Sequence, residues 1–330
     1  AHDRGYPGAK QAGAVAVLHG SNTGRQTFSV AELVADNPRE VMALLADRIY
    51  GSPSSRMKLV GITGTNGKTT TAFLVHYLLQ AAWRRVGLVG TVHYFDGVEA
   101  SPASRTTPES TDLQRMLAEM EANACRGAVM EVSSHALDQG RVAGVCFDVG
   151  VFTNLTPEHL DYHGNMERYF ASKRLLFRQV AKLGKKKPTI VVNADDSWGR
   201  RLIKEFSGES VEVVSYGLGA MADVRASSPS YTLTGTEFSL TAAGREFFVR
   251  VPLVGVFNVY NVLAAVASAR AMGLNVRESV RNLASAPQVP GRLELISESS
   301  PFQVFVDYAH TEDALENALR TVASLGKGRL

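Results

Sequence analysis

The sequence contains few cysteines and no long apolar segment. Its two cysteines, Cys125 and Cys146, are not closely spaced. This argues against a disulfide framework or a cysteine-based zinc site and is typical of a reducing compartment. No apolar run reaches the roughly 18–20 residues that span a bilayer, and no signal-peptide pattern opens the chain. The sequence therefore predicts a cytoplasmic protein without a membrane partner.

Net charge is also small. The formal net charge of +3 gives no indication of a nucleic-acid partner, and the only basic run is KKK at 185–187. That run lies between a helix pattern and a strand pattern, where a solvated turn is the ordinary structure. We expect no nucleic-acid partner.

The order of apolar segments predicts an α/β protein. Between residues 57 and 294, near-continuous apolar strands alternate with helices, which is typical of a doubly wound, mostly parallel sheet. Alternating residues at 211–254 predict a small antiparallel appendage. Residues 1–56 hold two strand patterns, at 14–18 and 27–33, and a helix pattern at 35–51. Residues 295–330 hold a strand pattern at 302–310 and a helix with Thr311 as its cap. We therefore predict a partial N-terminal domain (1–56), a central domain (57–294) and the start of a third domain (295–330).

The stretch GITGTNGKTTT at 61–71 is the strongest single motif. It follows an apolar strand and precedes a helix, which is the setting of a phosphate-binding loop (P-loop). The usual spelling would place its first glycine at position 62, which is Ile62. Gly64 and Gly67 would let backbone amides face phosphate oxygens, Lys68 would reach the terminal phosphates, and Thr69 would offer its hydroxyl to Mg²⁺. The alternative is a glycine-rich turn without a ligand.

Three further segments carry candidate metal ligands. Glu131 ends an apolar strand, where a carboxylate is costly unless it binds a metal or pairs with an arginine. His159 and His163 are spaced to share a helical face, as zinc ligands would be. Alternatively, one imidazole binds a second Mg²⁺ and the other is structural. Lys173 lies in a helix among apolar side chains; it is either a surface lysine or a desolvated amine that reacts with CO₂ to form a carbamate.

Several motifs occur in an order that resembles the Mur ligases and the related folylpolyglutamate synthetases. They are GTNGKTTT, TTPES (106–110), MEVSSHAL (130–137), FTNLTPEHLDYHG (152–164), MERYFASK (166–173), NADD (193–196), GVFNVYN (255–261), VPGR (289–292) and VDYAHTEDAL (306–315). EVSSHAL, HLDYHG and DYAHT favour the branch that adds the third amino acid to UDP-MurNAc-L-Ala-D-Glu in peptidoglycan synthesis. The resemblance implies an ATP-dependent amide ligase with two Mg²⁺ ions, acting on that substrate and an amino acid, and we expect a monomer.

The resemblance also implies roles for particular residues. The ATP site would comprise Gly64, Thr65, Asn66, Gly67, Lys68, Thr69, Thr70, Asn258, Asn261, Arg292, Asp307 and His310. Magnesium would be held by Thr69, Glu131, His159 and a carbamylated Lys173. Catalysis would rest on Lys68, His159 and Lys173. The UDP-MurNAc-peptide would contact Thr106, Thr107, Ser133, Gln139 and Arg141.

Some features leave alternatives open. Glu158 and Glu312 stand where the family usually has Asp and Pro, and neither is expected to be a ligand. DNPR at 36–39 resembles a motif for diaminopimelate recognition, but here it is expected only to cap a helix. Diaminopimelate is favoured over L-lysine as the amino acid. The competing hypotheses are another ligase of the same superfamily, acting on folate or at another peptide position, and a non-catalytic scaffold module.

Overall fold

The computed structural model describes residues 10–21, 30–185, 187–297, 302–310 and 312–325. Its N-terminal part pairs strand β1 (Ala16–Gly20) in parallel with strand β2 (Ala31–Ala35). Helix α1 (Pro38–Ile49) follows, and Asn37 caps it by accepting a hydrogen bond from the Glu40 amide at 3.3 Å. The prediction that the DNPR stretch caps a helix is confirmed, and Pro38 is the first residue of that helix. Residues 27–29 of the predicted second strand lie outside the described residues.

An eleven-stranded sheet forms the centre of the molecule. Its strands are β3 (Lys58–Thr63), β4 (Val86–Val89), β5 (His93–Phe95), β6 (Ala100–Pro102), β7 (Gly127–Glu131), β8 (Val149–Phe152), β9 (Thr189–Asn193), β10 (Glu212–Gly217), β11 (Val224–Thr232), β12 (Gly235–Ala242) and β13 (Arg245–Val251). They lie in the order β13-β12-β11-β10-β9-β8-β3-β7-β4-β5-β6. Pairing is parallel from β11 through to β4, and antiparallel at both edges.

Helices cover both faces of this sheet. They are α2 (Lys68–Trp83), α3 (Ser110–Ala122), α4 (Ser134–Asp138), α5 (Leu160–His163), α6 (Met166–Leu183), α7 (Ser197–Phe206), α8 (Val256–Ala271) and α9 (Val276–Leu283). Strand β3 shows why there are two cores: Val60 and Ile62 pack with α2 and α8, whereas Leu59 faces the opposite core with α3, α6 and α7. Buried parallel strands with helices on both faces confirm the predicted doubly wound α/β fold.

The prediction for residues 211–254 was wrong in one respect. These residues are not a separate appendage, because β10 pairs in parallel with β9 and β11–β13 extend the same sheet. An alternating apolar pattern indicates a strand with one solvated face, but it does not identify the partner strand. The short antiparallel edge formed by β5 and β6 was also not predicted.

The C-terminal part begins with a two-residue strand, β14 (Glu294–Leu295), that pairs antiparallel with β15 (Phe305–Val306). Helix α10 (Glu312–Leu325) follows. The strand predicted over 302–310 is therefore much shorter, and its predicted cap residue Thr311 lies outside the described residues. The domain limits at 56 and 294 stay predictions. In the described part of the chain, no helix is both long and apolar enough to cross a membrane.

Candidate functional site

The candidate site lies at the carboxyl ends of the central parallel strands. Strand β3 sits between β7 and β8, and all three point their carboxyl ends toward the loop at 64–67. Polar side chains follow each strand there. Ligand sites of doubly wound sheets occur at this edge, outside the carboxyl ends of the strands.

At two positions, the loop has a backbone conformation that favours glycine. Gly64 has φ +149°, and a Cβ atom there would lie 1.8 Å from the Thr153 hydroxyl. Gly67 has φ +81° and immediately precedes α2, as its N-cap residue. The segment after β8 holds the loop in place, because the Thr153 hydroxyl donates to the Asn66 carbonyl at 2.7 Å and the Asn154 side chain accepts from the Asn66 amide at 2.9 Å.

This geometry presents the first turn of α2 to a ligand. The amides of residues 68–70 have no partner within the helix, as at any helix N-terminus, and the helix dipole adds a partial positive charge. Unlike these backbone amides, the Thr65 hydroxyl contacts another side chain of the protein, the Tyr169 hydroxyl, at 3.2 Å. Thr70 is buried in the first turn of the helix. The arrangement suits a phosphate group.

Two lysines, the partly buried Lys68 and the fully buried Lys173, converge behind the loop. The Lys68 ammonium donates to the carbonyls of Gly64 at 3.0 Å and Thr65 at 2.8 Å. The Lys173 ammonium donates to the same Gly64 carbonyl at 2.8 Å, and its side chain is only 2% exposed. The surface alternative for Lys173 is therefore wrong. Burial lowers the pKa of Lys173 well below its ordinary value, and the Lys68 ammonium lowers it further; burial also lowers the pKa of Lys68.

Glu131 is fully buried at the end of β7. Its carboxylate accepts hydrogen bonds from the Thr69 hydroxyl at 2.9 Å, the Thr91 amide at 2.8 Å and the Thr91 hydroxyl at 3.2 Å. Among the described residues it forms no salt bridge, so the arginine-paired alternative is not supported; Arg292 instead donates to the Thr69 hydroxyl at 3.0 Å.

A magnesium ion fits this donor set. Mg²⁺ is usually held by one or two carboxylates together with phosphate oxygens and water, and the Glu131 carboxylate and Thr69 hydroxyl already lie beside the loop. Within the described residues, no three histidine, cysteine or acidic side chains gather as a ready-made metal site.

The two histidines after β8 lie in different surroundings. His163 is buried, with its ring nitrogens 3.0 Å from the Ser134 hydroxyl and 3.3 Å from the Ser172 hydroxyl. His159 precedes α5, is half-exposed and lines the cavity in front of the loop. Both nitrogens of His163 are thus engaged, which contradicts the paired zinc-ligand alternative.

Glu158 is one of the site residues that the sequence did not predict. Its carboxylate lies 3.4 Å from the Tyr169 hydroxyl, 3.7 Å from His159 and 4.0 Å from His310. It faces the same cavity, of about 250 Å³, as Lys68 and Glu131. It was missed because the cavity that it faces, and its approach to His310, form only in the folded chain.

A second cavity, of about 300 Å³, continues from the loop toward α8. Asn261 lines it, and its side chain accepts from the Thr71 hydroxyl at 3.2 Å. Asn258 is buried behind Asn261 and bonded to it at 3.0 Å. Three aromatic residues, Tyr216, Phe257 and Tyr260, also line this cavity, which suits a planar base. Sequence reasoning identified the two asparagines but not the aromatic residues.

The C-terminal part supplies one wall of both cavities. Arg292 and Asp307 line both, and His310 lines the first. The Asp307 carboxylate accepts from the amides of Leu293 at 2.6 Å and Ala309 at 2.7 Å, which fixes the chain around it. His310 contacts the Tyr308 carbonyl at 2.9 Å. The structure therefore brings all three to the loop.

The five residues assigned to the peptide substrate lie along one side of this site. The Thr106 hydroxyl is 3.1 Å from the Thr91 hydroxyl, and Thr106 lines the first cavity. Thr107 is buried and donates to the Glu131 carbonyl at 2.9 Å. The Ser133 hydroxyl caps α4 by accepting from the Ala136 amide at 3.2 Å.

Gln139 and Arg141 lie farther along the same side. The Arg141 guanidinium donates to the Gln139 side-chain carbonyl at 2.6 Å and to the Thr107 carbonyl at 3.0 Å. Arg39, from the DNPR stretch, also donates to Gln139 at 3.0 Å. That stretch therefore caps a helix, as predicted, and in addition contacts Gln139, which follows α4.

Comparison with known proteins gives consistent matches. The family described as "Mur ligase middle domain" matches residues 62–269, and "Mur ligase, glutamate ligase domain" matches residues 291–330. The UDP-N-acetylmuramoyl-L-alanyl-D-glutamate–2,6-diaminopimelate ligase of Halalkalibacterium halodurans is 44% identical over 328 residues, covering 98% of this chain. The Streptomyces coelicolor protein of the same name is 44% identical over 302 residues, covering 90% of this chain.

Solved structures give the same fold. A structure of a UDP-N-acetylmuramoyl-L-alanyl-D-glutamate–2,6-diaminopimelate ligase superposes with a TM-score of 0.83 at 30% identity, covering 98% of this chain and 65% of the other. MurF from Acinetobacter baumannii shares the fold with a TM-score of 0.72 at 21% identity, covering 91% of this chain and 62% of the other. The chain spans 66% and 58% of the lengths of the two relatives named above.

Proposed function

Because the chain belongs to the Mur ligase family, we propose that it carries the ATP-binding centre of a ligase that joins diaminopimelate to UDP-N-acetylmuramoyl-L-alanyl-D-glutamate. The observation that carries the proposal is the meeting of Lys68, Glu131 and Lys173 around one glycine loop. The relatives at 44% identity bear the name of that ligase. We place the reaction in the cytoplasm and expect a monomer.

The proposed reaction has two steps. An oxygen of the D-glutamate γ-carboxylate attacks the γ-phosphorus of ATP, the bond to the bridging oxygen breaks, and ADP leaves with an acyl phosphate remaining. The amine of diaminopimelate then attacks the acyl carbon, loses a proton, and expels inorganic phosphate as the amide forms. Catalysis of phosphoryl transfer rests mainly on positioning and charge stabilisation.

The residues around the loop supply that stabilisation. The amides at the start of α2 and the Lys68 ammonium would contact the phosphates as they gain charge. Thr69 and Glu131 would hold one magnesium ion, and His159 with a modified Lys173 would hold a second. When bound, these ions would neutralise phosphate charge. The aromatic cavity beside Asn261 would take the adenine, and Asp307 the ribose.

Carbamylation of Lys173 is part of this proposal. The neutral amine attacks CO₂, a nitrogen–carbon bond forms, and one proton leaves the nitrogen, so that the neutral amine becomes an anionic two-oxygen group. The lowered pKa of Lys173 supports it by raising the neutral fraction of the amine. Carbon-13 NMR with labelled bicarbonate tests it: we expect a carbamate signal that is missing from Lys173→Ala. A signal unaffected by that substitution would assign the modification elsewhere.

Ligation itself is tested by phosphate release and product analysis. We expect phosphate release that requires ATP, UDP-MurNAc-L-Ala-D-Glu and diaminopimelate together, and much slower release with L-lysine. Lys68→Ala should lower turnover by at least about 100-fold because it removes charge stabilisation in the transition state. The exposed Lys204, on α7, provides the control variant Lys204→Ala. Faster turnover with lysine, with a folate substrate or with another muramyl peptide would redirect the assignment, and no turnover would favour a scaffold role.

A further inference from the structure

Strand β13 is the last strand at one edge of the central sheet, and its outer side has no partner strand among the described residues. It pairs with β12 alone, and no backbone hydrogen bond from elsewhere in the described chain reaches it. An unpaired edge of this kind is a template for another strand. The residue after β13 is Pro252, which has no amide proton, so the edge that could pair ends there.

The hairpin that joins β12 to β13 fixes which backbone groups point outward. Its two-residue turn is formed by Ala243 and Gly244, which both have a positive φ, of +51° and +72°, as in a type I′ turn. The residues that flank such a turn bond each other, so Ala242 and Arg245 form the first bonded pair, and bonded pairs alternate from there. The amides and carbonyls of residues 246, 248 and 250 therefore face away from β12.

The same three residues present their side chains on one exposed face. Phe248 is 66% exposed, and the Arg250 side chain is 73% exposed and lies 3.4 Å from Glu237 of β12. Glu246 is exposed as well, whereas Val249, between two of these residues, is buried in the core. The outer edge thus carries an acidic, an aromatic and a basic side chain in that order, at the residues whose backbone groups are open.

This order is complementary to itself when it is read in the opposite direction. In an antiparallel pair centred on Phe248, Glu246 of each copy lies opposite Arg250 of the other, and the two phenylalanine side chains are neighbours. A pair centred on residue 246 or 250 would instead place like charges opposite each other, and one centred on 247 or 249 would place a charge opposite the phenylalanine. Only the pair centred on Phe248 matches both charges and also gives every outward-facing amide of residues 246, 248 and 250 a carbonyl acceptor.

We propose that two copies of this chain associate through β13, so that their sheets continue into each other across a two-fold axis at Phe248. The contact is isologous, meaning that both copies use the same surface, so it closes with two copies. Charged side chains on an edge strand ordinarily discourage pairing. Here one register turns Glu246 and Arg250 into ion pairs between the copies, which selects a second copy of this chain as the partner.

The association is weak and leaves the candidate site accessible. One pair of short strands buries less than the roughly 1,200 Å² of a stable interface, so the single chain that we expect as the catalytic unit prevails at low concentration. The five strands from β12 to β8 separate β13 from β3, which is about 29 Å at the usual strand spacing. Pairing at β13 therefore does not cover the phosphate loop, and the proposal does not depend on the ligase assignment.

Sedimentation velocity of the full chain tests the pairing. We expect monomer at about 1 µM and a growing fraction of dimer toward about 300 µM, the range in which an interface of this size dissociates. The dimer fraction should fall when salt is raised from about 0.05 M to about 0.5 M, because the ion pairs between the copies are exposed to solvent. A chain that stays monomeric over the whole concentration range at low salt overturns the proposal.

Charge reversal identifies the surface that pairs. The variant Glu246→Arg carries two positive charges at this edge, and Arg250→Glu carries two negative ones. Each variant alone should dimerise at least about tenfold more weakly than wild type, because like charges then lie opposite each other. An equal mixture of the two variants should dimerise about as tightly as wild type, since every charge at the edge again meets its opposite.

A charge reversal away from the edge provides the matched control. Glu212 is an exposed residue of β10, which lies between β9 and β11 inside the sheet, so Glu212→Arg should dimerise like wild type. Circular dichroism and the thermal midpoint of each variant check that the fold is kept. Single edge variants that dimerise as tightly as wild type, or a mixture that stays monomeric, would refute pairing at β13 and assign any association to another surface.

Discussion

The carbonyl oxygen of Gly64 accepts hydrogen bonds from two ammonium groups, those of Lys68 and Lys173. Lys68 also donates to the Thr65 carbonyl, whereas Lys173, among the described residues, donates only to the Gly64 carbonyl, which replaces only part of the hydration that its ammonium loses on burial. Lys173 has one further partner, the face of the Tyr169 ring, whose centre is 4.4 Å from its nitrogen. Holding both lysines here therefore opposes folding, and we infer that function rather than stability explains the arrangement.

The variant Lys173→Met should separate the contribution of this lysine to function from its effect on stability. In CO₂-free buffer near pH 7, we expect the variant to lose ligation but to gain about 1 kcal/mol or more in free energy of unfolding, because an apolar side chain of similar length replaces a buried charge. The lowered pKa of Lys173 means that the unfolded state binds more protons than the native state. Wild-type stability should therefore rise as pH increases toward the ordinary lysine pKa of about 10.4.

The difference in free energy of unfolding between Lys173→Met and wild type should accordingly shrink between about pH 7 and pH 10. Urea unfolding at both pH values measures it, with Lys204→Met as the exposed control. A variant that is less stable than wild type at pH 7, or an advantage that grows with pH, would contradict the desolvation argument.

Residue type and local sequence context were enough to assign some residues to the site but not others. Glu131 and Lys68 could be chosen because each follows an apolar strand or a glycine loop. The burial of Lys173 could not be decided, because helical periodicity alone is compatible with a surface lysine. Glu158 and Arg39 were assigned no role in the site, since their positions depend on His310 and Gln139, which pack against them only in the folded chain.

At the scale of elements, the loop and the segment after β8 behave as one unit. Gly64 approaches Thr153 so closely that an added Cβ atom would lie 1.8 Å from its hydroxyl and 3.1 Å from the Asn154 amide. The same hydroxyl donates to the Asn66 carbonyl. Shifting Thr153 to make space would therefore also disturb the loop backbone that presents the phosphate-binding amides.

Gly64→Ala should lose nucleotide binding as well as stability. We expect about 1–3 kcal/mol of destabilisation from the forced contact and at least tenfold weaker binding of a non-hydrolysable ATP analogue, measured by calorimetry. Gly208→Ala is the matched control: Gly208 also has a positive φ, of +100°, but no atom lies within 4 Å of its added Cβ. Equal effects in the two variants would attribute the loss to backbone strain rather than to the contact with Thr153.

Helices and strands could be predicted where apolar periodicity, a glycine turn or a helix cap marks them in the sequence. The strand, glycine turn and helix at 58–83 follow from apolar periodicity and the GKT sequence, and α1 follows from its asparagine cap and proline. Strand partners were less predictable, because the residues of β10 carry the same alternation whether they pair in parallel or antiparallel. The hairpin of β5 and β6 is only three residues on each side, too short for periodicity to be detected.

At the scale of the whole molecule, the C-terminal part completes the cavities that begin at the loop. Arg292 reaches across to the Thr69 hydroxyl, and its guanidinium lies 5.3 Å from the centre of the Tyr308 ring. Helix α10 lies close to the start of α8, where an added Cβ at Gly255 would be 2.8 Å from Thr321. The order of motifs along the chain predicted this family, and the family match over residues 62–269 confirms it. Motif order could not predict how the C-terminal part packs against the loop and α8.

Because residues of the loop and of the C-terminal part line the same cavities, we predict that a bound nucleotide contacts both and thereby raises the free energy of unfolding. A ligand that binds only the folded state at about 100 times its dissociation constant adds about 2.7 kcal/mol. Arg292→Ala removes a side chain that lines both cavities. Its loss costs one hydrogen bond to Thr69 and the contact with the Tyr308 ring but no salt bridge among the described residues. We therefore expect little change in thermal midpoint without ligand, and a nucleotide-induced rise less than half that of wild type at the same ADP concentration. Arg277→Ala, on α9 beside Phe247, should keep the full rise. A full rise in Arg292→Ala would mean that the loop alone accounts for binding and that the C-terminal part contributes no contact to the nucleotide.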